Sequence, residues 1–278
     1  MRRLSPAGVP RGLGGHASTQ EAETLLGRCG RIAFIAPAAR PYVTALWGAL
    51  AGSRAAAAEP RREAPPHRHA RRRCSAGARW LRTLIHPPDE QVVEGFWPLE
   101  HVVVLNIAPI SLDGPVVHVD ASPWGGGAVL LLRGRPIEYA WCAWSVDSAT
   151  KLDVEIGSPS GQTSWEYFAL LLALMVWGSR FRDEGLAILG DNLASLNALI
   201  TYRGRRHLAR ITRELAWRKV RYGWHYAAGH LPSEMNLIAD SLSRVAAPGS
   251  HAKVVPAAVA AATRKHFPDQ ADVWSLPA

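Results

Sequence analysis

The chain has 278 residues, 48% hydrophobic and 20% charged, which excludes disorder throughout and leaves room for one sizeable domain with appendages or two small ones. Its longest unbroken apolar run, Phe168 to Trp177, has ten residues, and a bilayer span needs about 20, so no membrane crossing is expected. Cys29, Cys74 and Cys142 lie far apart and offer neither a disulfide framework nor a cysteine zinc site, so an intracellular, soluble, reduced protein of cytoplasm or nucleus is expected.

The net charge of +9 is unevenly placed. Residues 1–82 hold 15 Arg against 4 Glu, a net of +11, and residues 83–278 hold 17 basic against 19 acidic residues, a net of −2. A polyanion partner accounts for such a basic front. So does a composition bias, since only four of the 32 basic residues are lysine. Met1 to Gln20 carries arginines and no acids, as a transit peptide would, but it lacks amphipathic periodicity, and mitochondrial targeting is not expected.

In chain order, residues 1–20 read as a flexible N-terminus. Residues 21–52 carry a helical pattern (Leu25, Leu26, Cys29, Ile32, Phe34, then Val43, Leu46, Trp47, Leu50) broken at Pro37 and Pro41. Residues 53–110 turn to Ala, Arg, Pro and His, then to short apolar stretches around Pro87, Pro88 and Pro98, and read as a basic linker and connection.

Residues 111–247 read as one compact unit. Val116–Asp120 is a strand, Pro123-Trp124-Gly125-Gly126-Gly127 a turn, Ala128–Leu132 a second strand, and Ile137–Trp144 a third after Gly134-Arg135-Pro136. Thr163–Phe181 is a long helix, Leu186–Gly190 a buried strand, Asn192–Tyr202 and His207–Arg221 helices, Gly223–Ala228 a fifth strand and Ser233–Arg244 a last helix. This order implies an α/β fold: a mixed five-stranded sheet, opening with a three-stranded antiparallel meander, with helices on both faces. The Ala/Pro-rich tail, residues 248–278, is expected to be peripheral.

Four acids fall at special places in that order. Asp120 ends the first strand, Glu166 opens the long helix, Asp191 closes the fourth strand and Asp240 lies in the last helix. In a sheet of this order the first and fourth strands are neighbours, and α/β sheets place ligands outside the carboxyl ends of strands. Carboxylates gathered there need cations, and Mg²⁺ favours a few carboxylates with waters and phosphate oxygens. Each acid also has a purely structural reading. Asp120 can open an Asx turn before Pro123, and Asp191 can cap the next helix. Glu166 completes Thr163-Ser164-Trp165-Glu166, a capping box, and Asp240 can face solvent.

The pieces together resemble a known family. Asp120-Ala121-Ser122 with the glycines after it, Trp165-Glu166-Tyr167-Phe168-Ala169-Leu170, Asp191-Asn192, and His230-Leu231-Pro232 followed by Asn236, Ala239-Asp240 and Leu242-Ser243-Arg244 resemble the ribonuclease H domain that follows reverse transcriptases in retroelements. The match covers about half the chain. Leu25-Leu26-Gly27-Arg28 through Arg40-Pro41-Tyr42 is similar to the start of a reverse transcriptase thumb. No Asp-Asp pair occurs, so polymerase activity is not expected, and the chain reads as a C-terminal piece of a retroelement polyprotein whose palm is missing.

The resemblance implies hydrolysis of the RNA strand of RNA–DNA hybrids with two Mg²⁺ ions, Mn²⁺ being able to substitute. Asp120, Glu166, Asp191 and Asp240 would be the metal-binding acids, and His230 a mobile catalytic histidine near the leaving group. Arg205, Arg206, Arg210 and Arg213, in an arginine-rich stretch around residues 203–221, are the candidate nucleic-acid contacts, projecting outward from a stripe of Leu208, Ile211, Leu215 and Trp217. A solvated helical face is the alternative for that stretch. Trp217 and Trp224 read as core. A monomer is expected. Two other activities fit the same acids: an inactive remnant that binds nucleic acid, and an integrase or transposase joining DNA strands.

Overall fold

The computed structural model describes residues 16–56, 68–70, 77–79, 81, 113–204 and 207–274. Most of the expected flexible N-terminus and of the linker, residues 53–110, therefore lies outside the described residues, as do Arg205 and Arg206.

Near-continuous buried runs from Pro115 onward build a meander. Strand β3 (Pro115–Ala121) pairs antiparallel with β4 (Gly125–Leu132), which pairs antiparallel with β5 (Arg135–Ala143). Beyond β3 lie β6 (Leu186–Gly190) and β7 (Tyr226–His230), both added in parallel. A sixth strand, β8 (Thr263–Arg264), pairs in parallel with β5, giving the order β7-β6-β3-β4-β5-β8. The fold class is thus the expected mixed α/β sheet, with six strands where five were expected. A separate ribbon joins β1 (His16–Ser18) to β2 (Arg68–Ala70).

Besides a helical stretch at residues 77–79 and 81, these strands are accompanied by α1 (Thr19–Ile35), α2 (Arg40–Ala56), α3 (Val146–Leu152), α4 (Gln162–Trp177), α5 (Leu193–Thr201), α6 (His207–Tyr222) and α7 (Leu237–Ser243). None is long and apolar enough to cross a membrane. Neighbouring residues of a strand point to opposite faces, and β4 shows what covers each. A Cβ on Gly126 would strike the Trp144 ring, which stacks on Trp165 of α4 with centroids 4.7 Å apart, whereas one on Gly127 would lie 2.5 Å from Ala239 O and Ser243 N in α7. Helix α4 therefore covers one face and α7 the other.

The α4 face carries the main core. Trp165, Tyr167, Phe168, Leu171, Leu172 and Leu174 are all fully buried, and each side chain of this size contributes about 1.5–3 kcal/mol on burial. Helices α1 and α2 join the same core through Leu26, Tyr42, Leu46 and Leu50. Tyr42 donates to Arg213 O at 2.8 Å, and Arg40 donates to Thr201 O. The helical reading of residues 21–52 thus corresponds to two helices, broken by the 3-10 turn Pro37–Ala39, packed against the rest.

Two sequence expectations give way here. The glycines after Asp120 form the start of β4, not a turn, because α7 and Trp144 approach both sides of the strand too closely for any side chain. The tail is not peripheral: Val259, Phe267 and Val273 are buried, and Trp274 stacks on Phe168 at 5.2 Å. Gln270 donates to Ala143 O and accepts from Ser145 N. The tail thereby follows β5 along its length.

Gly127→Ala forces a methyl into α7 backbone and should destabilise the protein by roughly 1–3 kcal/mol, the usual cost of overpacking. Gly30→Ala on α1, where a Cβ meets nothing within 4 Å, should instead stabilise slightly through helix propensity. Thermal unfolding of both variants beside the parent checks the contrast.

Candidate metal centre

Each acid reaches the edge of the sheet for a local reason. Asp120 pairs with Gly127, so its side chain lies on the α7 face at the end of β3. Asp191 follows the last residue of β6, and Asn192, not Asp191, caps α5 by accepting from Ser195 N at 3.0 Å. That division of labour leaves the Asp191 carboxylate uncommitted to the helix. Glu166 sits one turn into α4, because the 3-10 turn Pro159–Gly161 starts the helix at Gln162 with Gly161 as its cap. The capping-box reading of Thr163-Ser164-Trp165-Glu166 is therefore corrected.

Asp120, Glu166 and Asp191 each present a carboxylate oxygen, and these atoms lie within 4.8 Å of one another. Asp120 and Glu166 are each only 5% exposed. Burial pushes the Asp120 carboxyl up to about 7, a hydrogen bond from Ser243 opposes the rise, and the charges of Asp191 and Asp240 add to it. Burial and the Asp120 charge likewise hold Glu166 well above the usual carboxylate range. Such a group of buried like charges calls for a cation. An all-oxygen donor set of this kind suits hard divalent ions such as Mg²⁺ and Mn²⁺.

The fourth acid is placed differently. Asp240 stands one turn before the end of α7, and it is not part of the three-carboxylate group. Arg244 Nε donates to its Oδ1 at 2.8 Å, and Lys253 Nζ donates to its Oδ2. Burial would raise the Asp240 carboxyl, but these two cations outweigh it and hold the group below its ordinary range. The link to the cluster runs through Ser243 of the same helix, whose hydroxyl donates to Asp120 Oδ2 at 2.7 Å.

His230 is exposed at the end of β7, in register with Gly190 and so beside Asp191. The loop that follows is tied to that acid: Ser233 Oγ donates to Asp191 Oδ2 at 2.7 Å. Three supporting residues were not singled out from the sequence: Ser243 on Asp120, Ser233 on Asp191, and Gln162, whose Nε2 donates to Glu166 Oε1 at 2.9 Å. Gln162 lies four residues before Glu166, a helical spacing that carries a signal of its own. Ser243 lies in the Leu242-Ser243-Arg244 motif, but its pairing with Asp120, like that of Ser233 with Asp191, runs across the fold and has no local spacing to mark it.

The arginine-rich helix α6 is not a free outward face. Arg218 is 7% exposed, lies 3.8 Å from the buried Glu214 and donates to Asp272 O and Val273 O at 3.1 Å. The Arg210 guanidinium lies over the Trp274 ring at 5.2 Å. Arg213 is partly buried, with its carbonyl taken by Tyr42. The tail and α2 thus cover positions that the helical stripe alone would leave in solvent. Trp217 and Trp224 are buried, as expected of core residues.

Two outcomes follow from the raised Asp120 carboxyl. The folded-state value of about 7 exceeds the ordinary 3.8, so this group's contribution to stability falls as pH rises from about 4 to about 7. Asp120→Asn removes that loss. In EDTA its melting temperature should exceed the parent's at pH 8 and approach it at pH 4, measured by scanning calorimetry. Metal binding must expel the same proton. The affinity for Mn²⁺ should therefore climb between about pH 6 and pH 8, as calorimetric titration at each pH would show.

No protein-family model matches this chain, and neither does the sequence of any curated protein. Solved structures do. RNase H1 of the halophilic archaeon Halobacterium salinarum NRC-1 is 20% identical, with a TM-score of 0.36 over 48% of this chain and 96% of that one. LC11-RNase H1, isolated from compost by a metagenomic approach, is 18% identical, with a TM-score of 0.37 over 49% and 96%. A foamy viral protease-reverse transcriptase is 11% identical with a TM-score of 0.28, covering 77% of this chain but 34% of its own.

Proposed function

We propose that this protein is a metal-dependent nuclease that hydrolyses the RNA strand of RNA–DNA hybrids, with residues 111–247 as its ribonuclease H-like domain and a retroelement polyprotein as its context. The observation that carries the reading is the buried group of Asp120, Glu166 and Asp191 at the carboxyl edge of a mixed sheet. The His230-to-Arg244 motif supports it: His230 is in register with Gly190, next to Asp191, and the Asp240 charge acts on Asp120.

Asp120, Glu166 and Asp191 would hold a divalent ion, Mg²⁺ with Mn²⁺ as substitute, and Asp240 would join Asp120 for a second. Such ions supply a polarised water and charge compensation at the leaving 3′ oxygen. The protein's own groups prepare the site. Ser243 fixes the orientation of Asp120, Gln162 that of Glu166, and Ser233 that of Asp191. Burial of Asp120 and Glu166 limits the water around them and strengthens their interaction with a cation. His230, exposed beside Asp191, can carry a proton at the leaving oxygen. Arg205 and Arg206 remain the proposed phosphate contacts. Arg210, whose guanidinium lies over the Trp274 ring, and the partly buried Arg213 keep that role only through the parts of their side chains left open.

Incubation with labelled RNA–DNA hybrid, double-stranded RNA and double-stranded DNA tests the reading. Cleavage confined to the RNA of the hybrid, requiring Mg²⁺ or Mn²⁺, is expected. Cleavage or joining of double-stranded DNA would favour an integrase or transposase, and binding without cleavage an inactive remnant. Glu166→Gln should lose at least about 100-fold in rate, because Glu166 lies outside the first turn of its helix and acts through its charge. An undiminished rate would remove Glu166 from the site.

A further inference from the structure

The segment after α7 returns past Asp240 as an exposed strap. Ala247 and Val259 are buried and anchor its two ends, while residues 248–255 between them are exposed. Three contacts hold it. The His251 ring stacks on Trp124, in the loop that follows Asp120, with centroids 4.7 Å apart. Lys253 N donates to Arg244 O at 3.2 Å, and Lys253 Nζ reaches Asp240 Oδ2. Arg244 already takes the other oxygen of that carboxylate.

Both oxygens of Asp240 are thus satisfied by cations of the chain itself, but the two cations differ in how firmly they are held. Arg244 is four residues away, at the cap of the same helix. Lys253 comes from the strap, and its side chain is 44% exposed. An exposed lysine in such a pair is weakly held, so it can leave when a stronger cation competes.

Resting on the reading of the carboxylates as a metal site, we propose that Lys253 is a built-in counter-ion that occupies the Asp240 side of the centre. The three-carboxylate group then takes one divalent ion, and a second binds only by displacing Lys253. The strap makes the two ion sites unequal. The first is set by Asp120, Glu166 and Asp191, and the second by competition between a divalent ion and a tethered ammonium group for Asp240 Oδ2.

Titration of the full-length protein with Mn²⁺, followed by the loss of the free-ion paramagnetic resonance signal and without nucleic acid, tests this. The parent should bind one ion well and a second much more weakly. Lys253→Met keeps the stem and removes the charge, and it should tighten the second ion by roughly fivefold, the worth of a solvent-exposed ion pair. Lys253→Arg should behave like the parent. Asp120→Asn should abolish the tight ion in either background. Two equal ions in the parent, or a second ion unchanged by Lys253→Met while the first still depends on Asp120, overturns the counter-ion and leaves the metal site standing. Absence of any Asp120-dependent ion overturns both.

Discussion

The structure around the centre depends on keeping carboxylates buried where they repel. Asp120 and Glu166 are nearly inaccessible and close to Asp191, an arrangement that costs stability unless hydrogen bonds or cations offset it. Much of the surrounding architecture supplies that offset. Ser243 donates to Asp120 and Gln162 to Glu166. Helix α7 is pulled onto the sheet far enough to deliver Ser243 only because β4 has glycine at 125 and 127, where a Cβ would strike backbone.

The two faces divide the work. The α4 face, with its stacked Trp144 and Trp165 and its unbroken run of buried apolar residues, supplies most of the hydrophobic stabilisation. The α7 face is thin: Val129, Leu242 and Val259 form its small core. The acids gather at the strand ends between these faces, so the large core holds the scaffold while the small one sets the position of Asp240 and Ser243.

Much of this was legible in the sequence because its signals are local. Strands β3 and β6 are apolar runs that each lead to an aspartate, and the His230-to-Arg244 motif marks α7 and its acid. Four features were not legible. A glycine triplet ordinarily signals a turn, and only helix α7, more than a hundred residues later, requires it to be strand. Thr163-Ser164-Trp165-Glu166 has the spacing of a capping box, but Pro159 and Gly161 start the helix earlier. The pairing of Asp240 with Arg244 follows from i,i+4 spacing, whereas Lys253 arrives through a loop. The burial of Arg218 depends on carbonyls of residues 272 and 273, in a tail whose Ala- and Pro-rich composition reads as loose chain.

The tail has one more consequence. Strand β5 is the outer strand of the meander, and β8 pairs with it only at Glu138 and Tyr139, reinforced by Lys265 N on Tyr139 O and Gln270 on Ala143 O. An unpaired edge bearing Tyr139, Trp141 and Cys142 is a template for another chain. Proteolytic clipping near residue 255 would bare that edge, and the clipped protein would tend to aggregate by strand addition. Colloidal solubility and the geometry of the metal centre are thereby tied to one continuous stretch of polypeptide.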